Sequence, residues 1–226
     1  MTQEDDVDSP ALIRFAAAFE NPAGWPLIGV VLLDDGTFDA PAAMLAELSL
    51  PLTVILDPAM PDARSRMQAY RAAGAETGLQ TVLPQGARAQ DVEITLEAAL
   101  STLPEALVLF SGADDAMQND RIIYDQMITA LADKGVGLIT ITRGLNPVAR
   151  NATEAGVPTA MVLRDLAGMD DAAMRRSLDQ AALRARQGVD VVISAPLTAD
   201  VLVMLAQWSN SARVAVAPAS AILSGD

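Results

Sequence analysis

Apolar runs of strand length recur along this chain and alternate with stretches of helical periodicity. The runs are Leu27–Leu33, Leu52–Leu56, Thr77–Leu83, Ala106–Phe110, Gly137–Ile141, Thr159–Leu163, Val189–Ser194 and Arg213–Ala217. Their starts lie between 22 and 31 residues apart, which is the spacing of repeated βα units. Several runs are apolar throughout, as in Ile28-Gly-Val-Val-Leu-Leu33, and this pattern predicts strands that are covered on both faces.

Helical patterns fill the segments between these runs. We predict helices over Asp62–Ala73, Asp91–Leu103, Asp115–Lys134 and Asp170–Gln187. Asp170 is placed as an N-cap, and a glycine follows several of the helical stretches, at 74, 135, 156 and 188. Each such glycine favours the left-handed backbone that returns a chain from a helix to the next strand.

About eight strands with intervening helices permit a closed (β/α) barrel or an open doubly wound sheet. Neither a Gly-x-Gly-x-x-Gly turn after the first strand nor a Gly-Lys-Ser/Thr sequence is present, so dinucleotide and P-loop sites are unsupported. Residues 1–23 are predicted to form an acidic tail and a short arm, and residues 24–226 a single domain. In either architecture a functional site belongs at the carboxyl ends of the strands.

The composition excludes several classes of function. The 226 residues include 29 Asp and Glu against 15 Lys and Arg, for a net charge of −14, which argues against nucleic acid and anionic membranes as partners. No segment is apolar enough to span a membrane, and the acidic start has no features of a signal peptide. The chain contains no histidine and no cysteine, which removes histidine-dependent hydrolases and imidazole or thiolate metal sites.

Pairs of charged residues close several of the predicted strands. Asp34 and Asp35 follow the first strand, where one could bind a hard cation and the other act as a base. The alternative is that one caps the next turn and the other is solvated. Asp114-Asp115 is interpreted as the start of a helix, whereas Arg164-Asp165 could clamp a carboxylate or form an ordinary ion pair.

The order of these pieces resembles the divergent polysaccharide deacetylases, a branch of the NodB-like carbohydrate esterases. The resemblance runs from about Pro26 to Leu223. It rests on the following segments in order: Leu33-Asp34-Asp35-Gly36, Gly74-Ala75-Glu76, Ser111-Gly112, Thr142-Arg143, Gly156-Val157-Pro158, Arg164-Asp165, Ser194-Ala195-Pro196 and Val216-Ala217-Pro218-Ala219-Ser220.

The resemblance implies an irregular seven-stranded (β/α) barrel with a site built around a divalent metal. It places a vestigial catalytic base at Asp34 and a metal ligand at Asp35. It also implies a groove lined by Glu76, Gln80, Phe110, Arg143, Arg164, Asp165 and Ala195. The family's histidines are replaced, because Ala75, Gln80, Phe110 and Ala195 stand at or near positions where the family pattern has histidine.

We therefore expect a degenerate deacetylase-like domain without catalytic activity and without a cofactor. The resemblance suggests that it binds a glycan or a protein of the bacterial envelope, in the periplasm or cell envelope. The alternative is an active deacetylase that holds Zn²⁺, Mn²⁺ or Mg²⁺ with carboxylates alone. We further expect Arg164 to pair with Asp34 in place of the lost cation.

Overall fold

A ring of seven parallel strands closes on itself, because the first strand pairs with both the second and the seventh. The computed structural model describes residues 9–80, 83, 87–112, 120–141 and 147–225. The strands are β1 (Leu27–Asp34), β2 (Thr53–Leu56), β3 (Glu76–Gln80), β4 (Ala106–Ser111), β5 (Gly137–Thr140), β6 (Thr159–Asp165), β7 (Val191–Pro196) and β8 (Ala215–Ala217). The fold is thus the α/β barrel that the resemblance implied, and the open-sheet alternative is wrong.

Helices separate the strands along the chain. They are α1 (Ala11–Arg14), α2 (Pro41–Leu48), α3 (Ala63–Ala72), α4 (Ala89–Thr102), α5 (Arg121–Lys134), α6 (Pro147–Glu154), α7 (Asp171–Ala185), α8 (Ala199–Ala212) and α9 (Ala219–Ser224). Asp170 caps α7 as predicted, since its carboxylate accepts from the Ala173 amide at 2.7 Å. Helix α5 begins at Arg121, and its N-cap is Asp120, which accepts from the amides of Ile122 and Ile123. The start predicted at Asp115 lies outside the described residues.

The eighth strand makes the barrel irregular. β8 pairs with the first half of β1, from Leu27 to Gly29, whereas β2 pairs with the second half, from Val31 to Asp34. β8 and β2 therefore share one edge of β1, with β8 at the amino end of that edge and β2 at its carboxyl end. This shared edge explains how eight apolar runs produce a barrel of seven strands.

Two apolar clusters divide the buried side chains. The inner cluster joins residues from opposite sides of the ring, and its members are Leu12, Val31, Ile55, Leu107, Val108, Phe110, Ile139, Val192, Ala217, Ala219 and Ile222. The outer cluster joins alternate strand residues such as Ile28, Val30 and Leu32 to helical residues such as Leu178 and Trp208. Along β1, β2, β5 and β7 this division follows the alternation of side chains, so it shows which residues face the barrel interior and which face the helices. In β4 both Leu107 and Val108 belong to the inner cluster, because the register with β3 shifts there.

The arm and the last helix close the amino end of the barrel. Ile222 of α9 and Leu12 of α1 both belong to the inner cluster. The Leu12 amide donates to the carbonyl of Gly135 at 2.9 Å. A Cβ at Gly135 would lie 2.4 Å from the Cα of Pro10, so only glycine permits this close approach of the arm.

A buried carboxylate joins the elements at this end. The side chain of Glu76, at the start of β3, accepts from the Ala17 amide at 3.0 Å and from the Thr53 hydroxyl at 3.3 Å. It also accepts from the amide of Ser220 at 3.0 Å and from the Ser220 hydroxyl. Glu76 is fully buried, and these hydrogen bonds satisfy its carboxylate. They also link the arm, β2 and α9 to β3.

None of the helices in the described ranges is long and apolar enough to cross a membrane.

We predict that Glu76→Gln lowers the free energy of unfolding by about 2–4 kcal/mol. The NH2 group of glutamine would replace one accepting oxygen of Glu76 and would point at groups that are themselves hydrogen-bond donors. Glu93→Gln is the matched control, since Glu93 is exposed on α4. Urea unfolding of the three proteins measures the difference. Equal stabilities of Glu76→Gln and wild type would contradict the assigned role of Glu76.

Candidate functional site

The alternation of side chains along β1 directs Asp34 away from the barrel interior. Val31 belongs to the inner cluster and Leu33 packs against it, whereas Val30 and Leu32 belong to the outer cluster. Asp34 continues the outward-facing series and lies beneath α3 with a side chain that has no exposed surface. The first carboxylate of the Asp pair therefore does not point into the barrel.

Four donors surround the Asp34 carboxylate. Arg66 of α3 approaches as a fork, with its Nε 2.6 Å from Oδ2 and its Nη2 2.8 Å from Oδ1. The Tyr70 hydroxyl donates to Oδ2 at 2.5 Å, and the Gly36 amide donates to Oδ1 at 2.9 Å. Because Arg66 and Tyr70 are four residues apart, one face of α3 supplies both side chains.

These contacts determine the protonation states of Arg66 and Tyr70. The hydrogen bond from Arg66 to Asp34 raises the pKa of Arg66, so the guanidinium stays charged. Burial raises the pKa of Tyr70 well above its ordinary value, and the hydrogen bond to Asp34 adds to this rise. Asp34, Arg66 and Tyr70 thus form an ion pair with a protonated phenol, which is a stable structural arrangement and offers no free base.

Asp35 lies in the exposed turn that follows β1. Its Oδ1 accepts from the amide of Thr37 at 2.9 Å and from the Thr37 hydroxyl at 2.6 Å. The bond from the Thr37 hydroxyl lowers the pKa of the Asp35 carboxyl, so the group is charged at neutral pH. This is the geometry of an Asx turn, in which the side chain mimics the backbone of a turn.

Arg164 and Asp165 close β6 at the same end of the barrel. Arg164 is exposed and donates to the carbonyl of Leu163 at 3.1 Å. The guanidinium that holds Asp34 belongs to Arg66, so the expected pairing of Asp34 with Arg164 is wrong. Asp165 accepts from the Ser194 hydroxyl of β7 at 2.9 Å, and this contact joins the ends of neighbouring strands.

Three of the residues predicted to line a groove at the carboxyl ends of the strands lie elsewhere in the barrel. Ala195 is fully buried in the outer cluster and faces the helices, because alternation along β7 directs it outward. Glu76 lies at the opposite, amino end of the barrel, because it begins β3 and does not end it. Phe110 is 1% exposed within the inner cluster, where it fills the barrel interior.

Gln80 ends β3 at the carboxyl end and is half-buried. It lines a cavity of about 270 Å³ together with Asp57 and the α4 residue Thr95. Arg143, Asp114 and Asp115 lie outside the described residues. The predicted site residues therefore do not converge on one centre within the described part of the chain.

The described donor groups do not fit a metal centre. Asp34 is already bonded to a cation and a phenol, and Oδ1 of Asp35 accepts twice from Thr37. Among the described residues, no three acidic side chains lie together as a ligand group, and the sequence supplies no imidazole or thiolate. A divalent cation needs several such ligands in one place.

Sequence reasoning missed the two residues that determine the state of Asp34. Arg66 and Tyr70 carry no motif of their own. Two signals were nevertheless present, because they are spaced i and i+4 on a predicted helix and because Asp34 has the parity of outward-facing residues in β1. These signals place Arg66 and Tyr70 on one face of α3 and Asp34 on the helix-facing side of β1, but the pairing itself is a tertiary contact that the sequence does not predict.

We predict that Asp34→Asn lowers the free energy of unfolding by about 3–5 kcal/mol, because it leaves the guanidinium of Arg66 without its carboxylate. Asp35→Asn is the matched control, one residue away in an exposed turn, and should stay within about 0.5 kcal/mol of wild type. Urea unfolding followed by circular dichroism measures both changes. Equal effects of the two variants would contradict a structural role for Asp34.

Tyr70 makes the free energy of unfolding depend on pH in the alkaline range. Above an ordinary tyrosine pKa of about 10, the unfolded chain loses the phenolic proton while folded Tyr70 retains it. The folded state then binds more protons, so stability falls as pH rises, by up to about 1.4 kcal/mol per pH unit. We expect Tyr70→Phe to remove this part of the slope between about pH 10 and pH 11.5, and an unchanged slope would contradict the assignment.

The fold has counterparts among solved structures. An uncharacterised protein from Agrobacterium tumefaciens C58 superposes with a TM-score of 0.78 at 14% identity, over 94% of this chain and 95% of that one. A lactam utilization protein from Thermus thermophilus gives a TM-score of 0.60 at 13% identity, over 84% of this chain and 98% of that one. At such low identities these likenesses concern the fold alone.

The amino-acid sequence also matches a known protein family. No curated protein matches the chain. A family model described as divergent polysaccharide deacetylase does match, over residues 30–223. The match spans most of the barrel, from the middle of β1 to the end of α9, in agreement with the segments that first suggested the resemblance. The chain belongs to the divergent polysaccharide deacetylase family.

Proposed function

We propose that this chain is a non-catalytic member of its family and acts by binding a protein partner, with an envelope location as the family suggests. The observation on which the proposal depends is the state of Asp34. A base or a metal ligand needs a lone pair directed at the substrate or the ion. The Asp34 oxygens are directed instead at Arg66, Tyr70 and Gly36 on the outer side of the barrel.

The missing histidines support the same proposal. Hydrolysis of an amide or ester assisted by a metal needs ligands for the cation and an acid for the leaving group. The chain has neither imidazole nor thiolate, and loss of a general acid alone costs about 10²–10⁴ in rate. Because Asp34 is half of an ion pair, the residue at which the resemblance places the catalytic base is not free to act as one.

The distribution of aromatic residues favours a protein over a glycan as the partner. Sugar rings stack on exposed aromatic faces, and the chain has only two tryptophans and two tyrosines, all of them described. Trp208, Tyr70 and Tyr124 are buried, and the half-exposed Trp25 precedes β1 at the amino end of the barrel. None of the four is therefore an exposed platform at the carboxyl ends of the strands. Phe38, which follows β1 at this end, is half-buried and packs against the outer cluster.

Metal content and acetate release test the proposal directly. The protein is incubated in turn with Zn²⁺, Mn²⁺ and Co²⁺ and desalted, and bound metal is then quantified by mass spectrometry. Each preparation is also assayed for acetate release from N-acetylated chito-oligosaccharides. We expect substoichiometric metal, acetate at the level of a protein-free blank, and no difference between wild type and Asp35→Ala.

Stoichiometric metal that is lost in Asp35→Ala, together with acetate release, would instead establish the carboxylate-only deacetylase. Saturation-transfer NMR with the same oligosaccharides tests the choice of partner. We expect no transfer to the sugar protons. Specific transfer, abolished by a substitution at Gln80, would replace the protein partner by a glycan.

A further inference from the structure

Strand β6 is exposed to an extent that is unusual for its place in the barrel. Each of the other six strands of the ring has most of its residues buried, whereas none of the seven residues of β6 is buried. A parallel strand with helices over the sheet is normally covered on both sides. Met161 and Leu163 of β6 are instead 57% and 37% exposed.

The neighbouring helices leave this part of the wall open. Helix α6 has only eight residues and is therefore about 12 Å long. Helix α7 contacts β1 and β7 as well as β6, so it lies to one side of β6. Among the described residues, the outer surface of β6 thus forms a groove between helices where a complete barrel would have a covering layer.

The groove is apolar and continues to the amino end of the barrel. Met161, Leu163 and Val189 line a cavity of about 370 Å³ together with Arg184 and Asp190. Val189 and Asp190 also line a second cavity of about 340 Å³, which reaches Trp25. Val189 and Trp25 are 41% and 46% exposed. We call the surface formed by Trp25, Met161, Leu163 and Val189 the β6 face. A continuous exposed apolar surface of this kind marks an interaction site.

The charges at the β6 face fit a second copy of this chain. Arg184, Arg186 and Asp190 line the two cavities, so the surface presents charges of both signs beside its apolar centre. In a twofold dimer each surface meets itself, and residue pairs occur twice with the roles exchanged. With the twofold axis between these two residues, Arg184 of each copy faces Asp190 of the other, whereas a surface with one sign of charge would repel itself.

We propose that the β6 face is a homodimer interface, in which the β6 strands of two copies pack across a twofold axis. The dimer covers Met161, Leu163 and Val189 with the same residues of the partner and pairs Arg184 with Asp190 in both directions. This inference rests on exposure and charge at β6 and is independent of the catalytic state of the barrel.

Sedimentation equilibrium of the full chain tests the proposal. We expect wild type to approach twice the monomer mass of 23.6 kDa as its concentration is raised from the micromolar to the submillimolar range. Met161→Glu should remain at the monomer mass throughout, because it places a charge in the apolar centre of the interface. Val203→Glu is the matched control, since Val203 is a similarly exposed apolar residue on α8, and it should dimerise as wild type does.

An exchange of charges distinguishes the proposed geometry from non-specific association. Arg184→Asp alone should weaken dimerisation at least about tenfold, because two carboxylates from one copy then face two from the other. The double variant Arg184→Asp with Asp190→Arg should restore it. A monomer at every concentration, a dimer that survives Met161→Glu, or a double variant without rescue would each overturn the proposal.

Discussion

The burial of one carboxylate at the end of β1 constrains the rest of the candidate site. Alternation along β1 requires that Asp34 face the helices, where an unpaired charge would cost several kcal/mol. Helix α3 meets this requirement with Arg66 and Tyr70, and the turn supplies the Gly36 amide. The same contacts fasten the carboxyl end of β1 to α3. A residue placed where the family has catalytic chemistry therefore serves as a structural link.

The two ends of the barrel use buried carboxylates in different ways. Asp34 is neutralised by a cation, whereas Glu76 is satisfied by amide and hydroxyl donors from the arm, β2 and α9. Between these ends the interior is apolar, with Phe110 among its largest side chains. The chain keeps the family barrel, but its described polar groups hold the frame together.

The sequence predicted the repeated βα units and the cap at Asp170, because burial on both faces of a strand and helix capping leave local patterns. No bounds were predicted for α2, α8 and α9, and α6 was indicated only by Gly156, although α2 and α6 each begin with a proline, Pro41 and Pro147, at the position where proline is tolerated. The partners of Glu76 were beyond prediction, because Ala17 and Ser220 approach it only after the barrel closes. The exposure of β6 could not be predicted from the sequence either, because its apolar residues resemble those of a strand that is covered by helices.

A double-mutant cycle between Asp34 and Arg66 tests the central claim most directly. Urea unfolding is measured for wild type, Asp34→Asn, Arg66→Met and the double variant. If the ion pair is structural, each single variant is strongly destabilised and the double variant recovers much of the loss, with a coupling energy of about 2 kcal/mol or more. Additive effects within about 0.5 kcal/mol would show that the two side chains do not depend on each other. That result would contradict the account and return Asp34 to the list of candidate catalytic groups.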